Sequence, residues 1–93
     1  MRIGVVTEIK GDERRVAMGP EGVAEAVRRG HEVLVQSGAG IGAGFRDEAY
    51  VEAGATIVDD PDTVFERAQL LVHVKEPQPA EIARLRPDHV LFT

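Results

Sequence analysis

The stretch Leu70-Leu71-Val72-His73-Val74-Lys75-Glu76-Pro77-Gln78-Pro79 decides how this chain folds. Its first five residues are mostly leucine and valine, which predicts a short buried strand over 70–74. The charged pair and the two prolines that follow end this strand, because proline has no N–H to donate to a sheet. Lys75 is therefore predicted at the carboxyl end of a strand, on a loop that Pro77 and Pro79 stiffen.

Strand and helix patterns alternate outward from this strand along all 93 residues. Strands are predicted over 3–7, 31–36, 56–58, 70–74 and 89–92. Helices are predicted to begin at Pro20, at Asp47 acting as a cap, at Asp62 and at Pro79. The alternation predicts a doubly wound, flavodoxin/Rossmann-like α/β fold, a five-stranded and mainly parallel sheet with helices on both faces. No helix pattern follows the last strand, so we expect residues 1–93 to be an incomplete domain.

Composition and charge exclude several classes of protein. The net charge is -5, which argues against a nucleic-acid partner. No apolar run approaches the roughly 18 residues of a membrane span, and no signal-peptide core follows Met1. There is no cysteine, which is compatible with a reducing compartment. We therefore expect a cytoplasmic protein without a membrane or nucleic-acid partner.

A glycine-rich segment, 37–44, has the spacing of a dinucleotide-binding fingerprint. Gly38, Gly40 and Ala43 fit the pattern G-x-G-x-x-A, and acidic residues follow about 20 positions later. The fingerprint also needs a helix that starts within the glycines, so that its N-terminus meets the pyrophosphate. Here the loop continues past Gly44 and the helix after it is short. We therefore expect close backbone packing in this segment and assign no residue to cofactor binding.

Basic residues follow the first predicted strand as well as the fourth. Arg14 and Arg15 would lie at the same edge of the sheet as Lys75, where a small keto or amino acid could be held by its carboxylate. Surface ion pairs with Glu8, Asp12 or Glu13 are the alternative for the arginines, and a solvated side chain is the alternative for Lys75.

The histidines suggest no further site. His73 is interpreted as a buried histidine with satisfied hydrogen bonds, because it alternates with two valines. The spacing of histidine and acidic residues predicts no metal site and no Ser-His-Asp triad.

Many short motifs, in order and over nearly the whole chain, resemble one family, the amino-terminal domain of alanine dehydrogenase. The same domain occurs in the α subunit of proton-translocating nicotinamide nucleotide transhydrogenase. The segments that carry the resemblance are Glu8-Ile9-Lys10, Glu13, Arg15-Val16-Ala17, Pro20-Glu21-Gly22-Val23, Gly38-Ala39-Gly40, Phe45, Asp47, Tyr50, Ala53-Gly54-Ala55, Val74-Lys75-Glu76-Pro77 and Leu91-Phe92-Thr93.

The resemblance implies an activity and a set of roles. Alanine dehydrogenases interconvert L-alanine and pyruvate with ammonia, and NAD accepts the hydride. By resemblance, Arg15 binds the substrate carboxylate, and Lys75 is a catalytic and substrate-binding residue that hydrogen-bonds the pyruvate oxygen. The family's catalytic histidine would fall just beyond Thr93, and its catalytic aspartate lies in a cofactor domain that this sequence lacks. The resemblance thus implies the substrate-binding portion of a homo-oligomeric enzyme, which we expect to be inactive as an isolated chain.

Two alternatives remain at the level of sequence. The chain could be the N-terminal part of a transhydrogenase α subunit, or a freestanding binding or interaction domain that kept the pocket without the chemistry.

Overall fold

A computed structural model describes residues 1–11 and 13–92. Asp12, a possible partner of the arginines, and Thr93, part of the family resemblance, lie outside the described residues. Strands and helices alternate in the described part, as predicted. The elements are β1 (Arg2–Val5), α1 (Pro20–Arg28), β2 (Glu32–Gln36), a single 3-10 turn (Ile41–Ala43), α2 (Asp47–Glu52), β3 (Thr56–Val58), α3 (Pro61–Arg67), β4 (Leu70–Val72), α4 (Pro79–Ile82) and β5 (Val90–Phe92).

The five strands form one sheet in the order β3-β2-β1-β4-β5, and every neighbouring pair is parallel. This confirms the predicted parallel α/β fold, and its strand order is the Rossmann one rather than the flavodoxin one. The order reverses between β1 and β4, because the chain steps outward from β1 to β3 and then returns to the other side of β1. The carboxyl ends of β1 and β4 therefore flank the crevice where open α/β sheets bind their ligands.

Helices cover both faces of the sheet, as predicted. On one face, Val23 of α1 and Tyr50 of α2 are fully buried against β1 and β2. On the other face, Val64 and Phe65 of α3 pack against Leu71 of β4. The hydrophobic effect on these two apolar layers fixes the sheet, so the loops at its carboxyl edge project from a rigid base. Within the described residues, no helix is long and apolar enough to cross a membrane.

β4 is two residues shorter than the sequence predicts, and the reason lies in its hydrogen bonds. The His73 amide still donates to the Phe92 carbonyl at 2.8 Å. The amide of Lys75, two residues further along, donates instead to the carboxylate of Glu8 at 3.1 Å. A side chain thus replaces the neighbouring strand as acceptor, and the ladder ends.

Asp47 does not cap α2, so this prediction is wrong. The N-cap of α2 is Arg46, and the helix has no side-chain cap. The Asp47 carboxylate instead accepts hydrogen bonds from Ser37 Oγ at 2.6 Å and from the Gly38 amide at 2.8 Å, which lower its pKa. Asp47 therefore anchors the start of the glycine-rich loop, a partnership that helix-capping rules do not reveal.

Gly4 lets α3 approach β1 closely, and its replacement should destabilise the fold. A Cβ at Gly4 would lie 2.7 Å from both Ala68 Cβ and Val64 Cγ1. We expect Gly4→Ala to lower the free energy of unfolding by about 1–3 kcal/mol, the usual range for overpacking a core. Urea denaturation measures this. Gly11→Ala is the matched control, since nothing lies within 4 Å of its added Cβ; equal stability of both variants would contradict the packing account.

β5 is an edge strand with exposed hydrophobic side chains. Val90 is 53% exposed and Phe92 is 68% exposed. Exposed apolar edge strands favour association, so we expect the chain to self-associate as its concentration rises. Sedimentation velocity checks this, with a Val90→Thr/Phe92→Thr variant expected to stay monomeric longer. A wild-type chain that sediments as a monomer at high concentration would refute this expectation.

Candidate functional site

Two loops at the carboxyl edge of the sheet carry the predicted site residues. Arg15 lies on the loop after β1, and Lys75 lies on the loop after β4. β1 and β4 are paired neighbours, with Val5 beside Val72 at their carboxyl ends. The fold therefore brings the two loops to the same carboxyl edge of the sheet, on either side of the crevice, as the sequence predicts.

Two polar links join these loops. The Glu8 carboxylate, from the β1 loop, accepts the hydrogen bond of the Lys75 amide. Lys10 forms an ion pair with Glu76, the residue after Lys75. The Lys10–Glu76 pair is exposed and adds little stability by itself, whereas Glu8 is only 3% exposed at its side chain. The buried Glu8 link is thus the one that fixes the position of the Lys75 backbone.

Arg15 is held by its neighbour Glu13 through a two-pronged ion pair. Arg15 Nε donates to Glu13 Oε2 at 2.9 Å, and Arg15 Nη2 donates to Glu13 Oε1 at 3.0 Å. The Glu13 side chain is 6% exposed and that of Arg15 is 68% exposed. The surface pairing named as the alternative for Arg15 is therefore present. It occupies only the Nε side of the guanidinium, and among the described residues no acceptor is bound to Nη1.

The pKa of Glu13 reports the charges around it. This pKa is lowered from 4.5 to about 2, mainly by the hydrogen bonds from the Arg15 side chain and amide and, to a smaller extent, by the charges of Arg15 and Lys75. Of these contributions, the one from Lys75 on the neighbouring loop is the smallest. The cluster presents two cationic groups, one oriented by a carboxylate, which suits an anionic substrate.

The Glu13 titration is a direct test of this geometry. We expect the Glu13 carboxyl to titrate near pH 2 in a carbon-13 NMR titration, and at a higher pH in Arg15→Gln, which loses the guanidinium but keeps the hydrogen bond from the backbone amide of residue 15. Because the pKa is lower in the folded state, the pair stabilises the fold above about pH 5, and this stability is lost as the pH falls toward 2. Titration of Glu13 near 4.5 in the wild-type chain would mean that the pair does not form in solution.

The glycine-rich loop is a packing element that supports the β1 loop. A Cβ at Gly40 would lie 2.6 Å from the Tyr50 ring, and one at Gly42 would lie 2.8 Å from the Arg14 carbonyl oxygen. Tyr50 itself donates a hydrogen bond to the Met18 carbonyl at 2.9 Å. The close backbone packing predicted for this segment is confirmed, and it braces the chain on either side of Arg15.

The described residues do not fit a nucleotide cradle. A bound pyrophosphate needs open glycine backbone and a helix N-terminus directly behind it. Here the space over Gly40 and Gly42 is filled by Tyr50 and by Arg14, and α2 is six residues long. Within the same residues there is also no group of three or more His, Asp or Glu arranged to hold a metal ion.

His73 is buried as predicted, but its hydrogen bonds differ from the prediction. Its side chain is 1% exposed, and Nδ1 lies 3.5 Å from Glu8 Oε2 and 3.7 Å from Glu81 Oε2. Neither ring nitrogen has a hydrogen-bond partner in the described structure. The predicted satisfied histidine is therefore replaced by an imidazole that faces two buried carboxylates.

Sequence reasoning missed the roles of Glu8 and Glu81. In the sequence analysis Glu8 has no role beyond that of a possible arginine partner and a member of one family motif, and Glu81 is an ordinary residue of a predicted helix. Glu8 binds the Lys75 amide, which is distant in the sequence, and Glu81 binds the Gln78 amide on the other side of Pro79. The hydrophobic periodicity of the sequence indicates neither contact. One local hint exists, since a glutamate three residues after a helix N-cap often bonds back to the N-cap amide, as Glu81 does to Gln78 at 2.9 Å.

Comparison with known proteins gives consistent matches. The model of the family "Alanine dehydrogenase/PNT, N-terminal domain" matches residues 4–93. An alanine dehydrogenase of Mycobacterium tuberculosis is 53% identical over all 93 residues, which make up 25% of that protein. The chain therefore spans about a quarter of the length of the curated relatives that it matches.

Two solved structures are also similar. An L-alanine dehydrogenase superposes with a TM-score of 0.94 and 45% identity, covering 98% of this chain and 25% of the other. A transhydrogenase from Sinorhizobium meliloti superposes with a TM-score of 0.89 and 28% identity, covering 98% and 27%.

Proposed function

Because the chain belongs to the family of alanine dehydrogenase/PNT N-terminal domains, we propose that it is the substrate-binding part of an NAD-dependent alanine dehydrogenase. The proposed overall reaction converts L-alanine, NAD⁺ and water to pyruvate, ammonium, NADH and a proton. One observation carries the proposal for this chain. The Arg15 and Lys75 loops follow adjacent strands at the switch point of the sheet and are tied to each other there.

The two cations have different chemical tasks in this proposal. Arg15, whose Nε side is held by Glu13, offers its remaining N–H groups to the substrate carboxylate in a paired, charge-assisted geometry. Lys75 donates a hydrogen bond to the carbonyl oxygen, where negative charge develops in the transition state. Because neither residue needs to transfer a proton to do this, both act by binding and electrostatic stabilisation.

NAD is assigned to a part of the enzyme outside this chain. When bound, it supplies the acceptor for the hydride of alanine. Two cavities lie on the described surface, one lined by Arg2, Glu32, Glu66 and Arg67 and one by Gly19–Gly22 and Phe45. Neither contains Arg15 or Lys75, so in this proposal other parts of the enzyme close the substrate site. We also propose that this enzyme is a cytoplasmic homo-oligomer.

The alanine dehydrogenase relatives fit better than the transhydrogenase alternative. The identity is 45–53% to the alanine dehydrogenases named above and 28% to the transhydrogenase. The freestanding binding domain remains as the outcome to be excluded by experiment.

A hybrid enzyme tests the proposal. It is the M. tuberculosis alanine dehydrogenase in which the matched segment is replaced by this chain. We expect the hybrid to produce NADH from alanine, and the isolated 93-residue chain to produce none, because hydride transfer needs both reactants positioned. A hybrid that folds and binds NAD without turning over alanine would favour the binding-domain alternative. NADH production by the isolated chain would overturn the interpretation of the glycine-rich loop.

A further inference from the structure

Two buried glutamates accept hydrogen bonds from the backbone of the loop that carries Lys75. Between Lys75 and Pro79 only Lys75, Glu76 and Gln78 have a backbone N–H, because the other two residues are prolines. Glu8 Oε1 accepts from the Lys75 amide at 3.1 Å, and Glu81 Oε1 accepts from the Gln78 amide at 2.9 Å. Two of the three available amides are thus fixed by glutamates from different elements, the β1 loop and α4.

Each glutamate turns its second oxygen toward the same imidazole nitrogen. Glu8 Oε2 lies 3.5 Å and Glu81 Oε2 lies 3.7 Å from His73 Nδ1. The three side chains are 3%, 5% and 1% exposed, so water screens them little. The centroid of the His73 ring also lies 6.4 Å from that of the Phe65 ring of α3. His73 is therefore buried near an aromatic ring and faces two converging carboxylates.

Two buried carboxylates that face one point repel each other unless a donor or a cation lies between them. An imidazole can provide this, since Nδ1 carries an N–H in the protonated form and in one neutral tautomer, and this N–H faces both carboxylates. The positions of Glu8 and Glu81, and with them the loop amides, thus depend on His73.

We propose that His73 is a positioning residue for Lys75, whose imidazole bridges Glu8 and Glu81 and thereby holds the loop from Lys75 to Gln78 in place. The effect of His73 on turnover rests on the proposed role of Lys75 in substrate binding. The bridge between Glu8 and Glu81 rests on the structure of the chain alone.

The bridge is tested first in the isolated chain by amide hydrogen exchange. His73→Leu removes the donor. We expect it to raise the exchange rates of the Lys75 and Gln78 amides by roughly tenfold more than it raises the rate of the Val35 amide in the central sheet. His73→Asn should retain slow exchange, because its amide nitrogen occupies about the place of Nδ1. His31→Leu, the same change at the opposite edge of the sheet, is the matched control. Exchange that rises equally at Lys75, Gln78 and Val35 would overturn the bridge, since His73 would then support only global stability.

The positioning role is tested in the hybrid enzyme. We expect His73→Leu to lower kcat by roughly 10- to 100-fold, as misplacement of a catalytic group does, with KM for NAD unchanged and with His73→Asn near the parent value. In a Lys75→Ala background the same substitution should cost almost nothing more, because the group that it positions is gone. An undiminished loss in that background would overturn the positioning role. Near-normal turnover of Lys75→Ala alone would instead reject the proposed role of Lys75, and the exchange experiment would still decide on the bridge.

Discussion

Lys75→Ala in the hybrid enzyme is expected to lower kcat for the reductive amination of pyruvate by roughly 100-fold or more. The Lys75 ammonium is aimed, in this account, at an oxygen that gains negative charge only in the transition state. A donor of this kind contributes more to turnover than to ground-state binding, so KM for pyruvate should change less than kcat. Steady-state kinetics in the direction of NADH oxidation measure both constants.

The matched control for this substitution is Lys10→Ala. Lys10 is the other lysine at the crevice, and it pairs with Glu76 at the surface. We expect Lys10→Ala to retain most of the turnover, because an exposed ion pair holds the loop only weakly and the buried Glu8 link remains. Near-normal turnover in Lys75→Ala would contradict the catalytic role and favour the alternative that Lys75 is a solvated side chain at a strand end.

Arg15→Lys in the hybrid enzyme is expected to raise KM for pyruvate by roughly 10- to 100-fold, which corresponds to the loss of one charge-assisted hydrogen bond. Lysine keeps the positive charge but lacks the planar fork, so it cannot bind Glu13 and a substrate carboxylate at the same time in paired geometry. KM for NAD should not change, since Arg15 belongs to no nucleotide cradle. The measurement is initial-rate kinetics with each substrate varied in turn.

Arg14→Lys is the control for Arg15→Lys. Arg14 is also exposed, and it lies next to Arg15 on the same loop, so both variants alter one arginine and conserve its charge. We expect KM for pyruvate to stay within about twofold of the parent value in Arg14→Lys, as for surface substitutions away from a site. Equal increases for both variants would mean that the loop attracts the substrate by charge alone.

The fold was predictable because its signals are local. Prolines at the starts of helices, glycines at their ends and short runs of leucine and valine mark the elements, and Pro20 and Gly30 bound α1 as expected. Strand order was not predictable from such signals. It depends on which side of β1 the chain returns to after α3, a choice made by packing between residues distant in sequence, such as Gly4 against Ala68.

The site was predictable only in outline. A residue that follows a parallel strand must lie at the carboxyl edge, so the positions of Arg15 and Lys75 follow from the strands themselves. The hydrogen-bond partners that fix the loops do not follow from the strands. The Glu8 carboxylate accepts a hydrogen bond from the Lys75 amide, although the two residues are 67 positions apart in the sequence. The Asp47 side chain binds the Gly38 amide of the glycine-rich loop instead of capping α2. Such partnerships follow from the tertiary fold and satisfy buried polar groups, which no local pattern encodes.

The two interpretations of Arg15 turn out to be compatible. The ion pair with Glu13 and the proposed bond to a substrate carboxylate would use different N–H groups of one guanidinium, which has five. Because the Glu13 side chain is nearly buried and that of Arg15 is mostly exposed, the carboxylate fixes the guanidinium in place rather than neutralising it fully.

The most direct test of the central claim is a crystal structure of the hybrid enzyme with pyruvate bound. We expect the pyruvate carboxylate between the two loops, about 3 Å from the Arg15 guanidinium on the side away from Glu13, and the keto oxygen about 3 Å from Lys75 Nζ. Pyruvate bound elsewhere, with Arg15 and Lys75 both in solvent, would contradict the assignment of these residues to the substrate site.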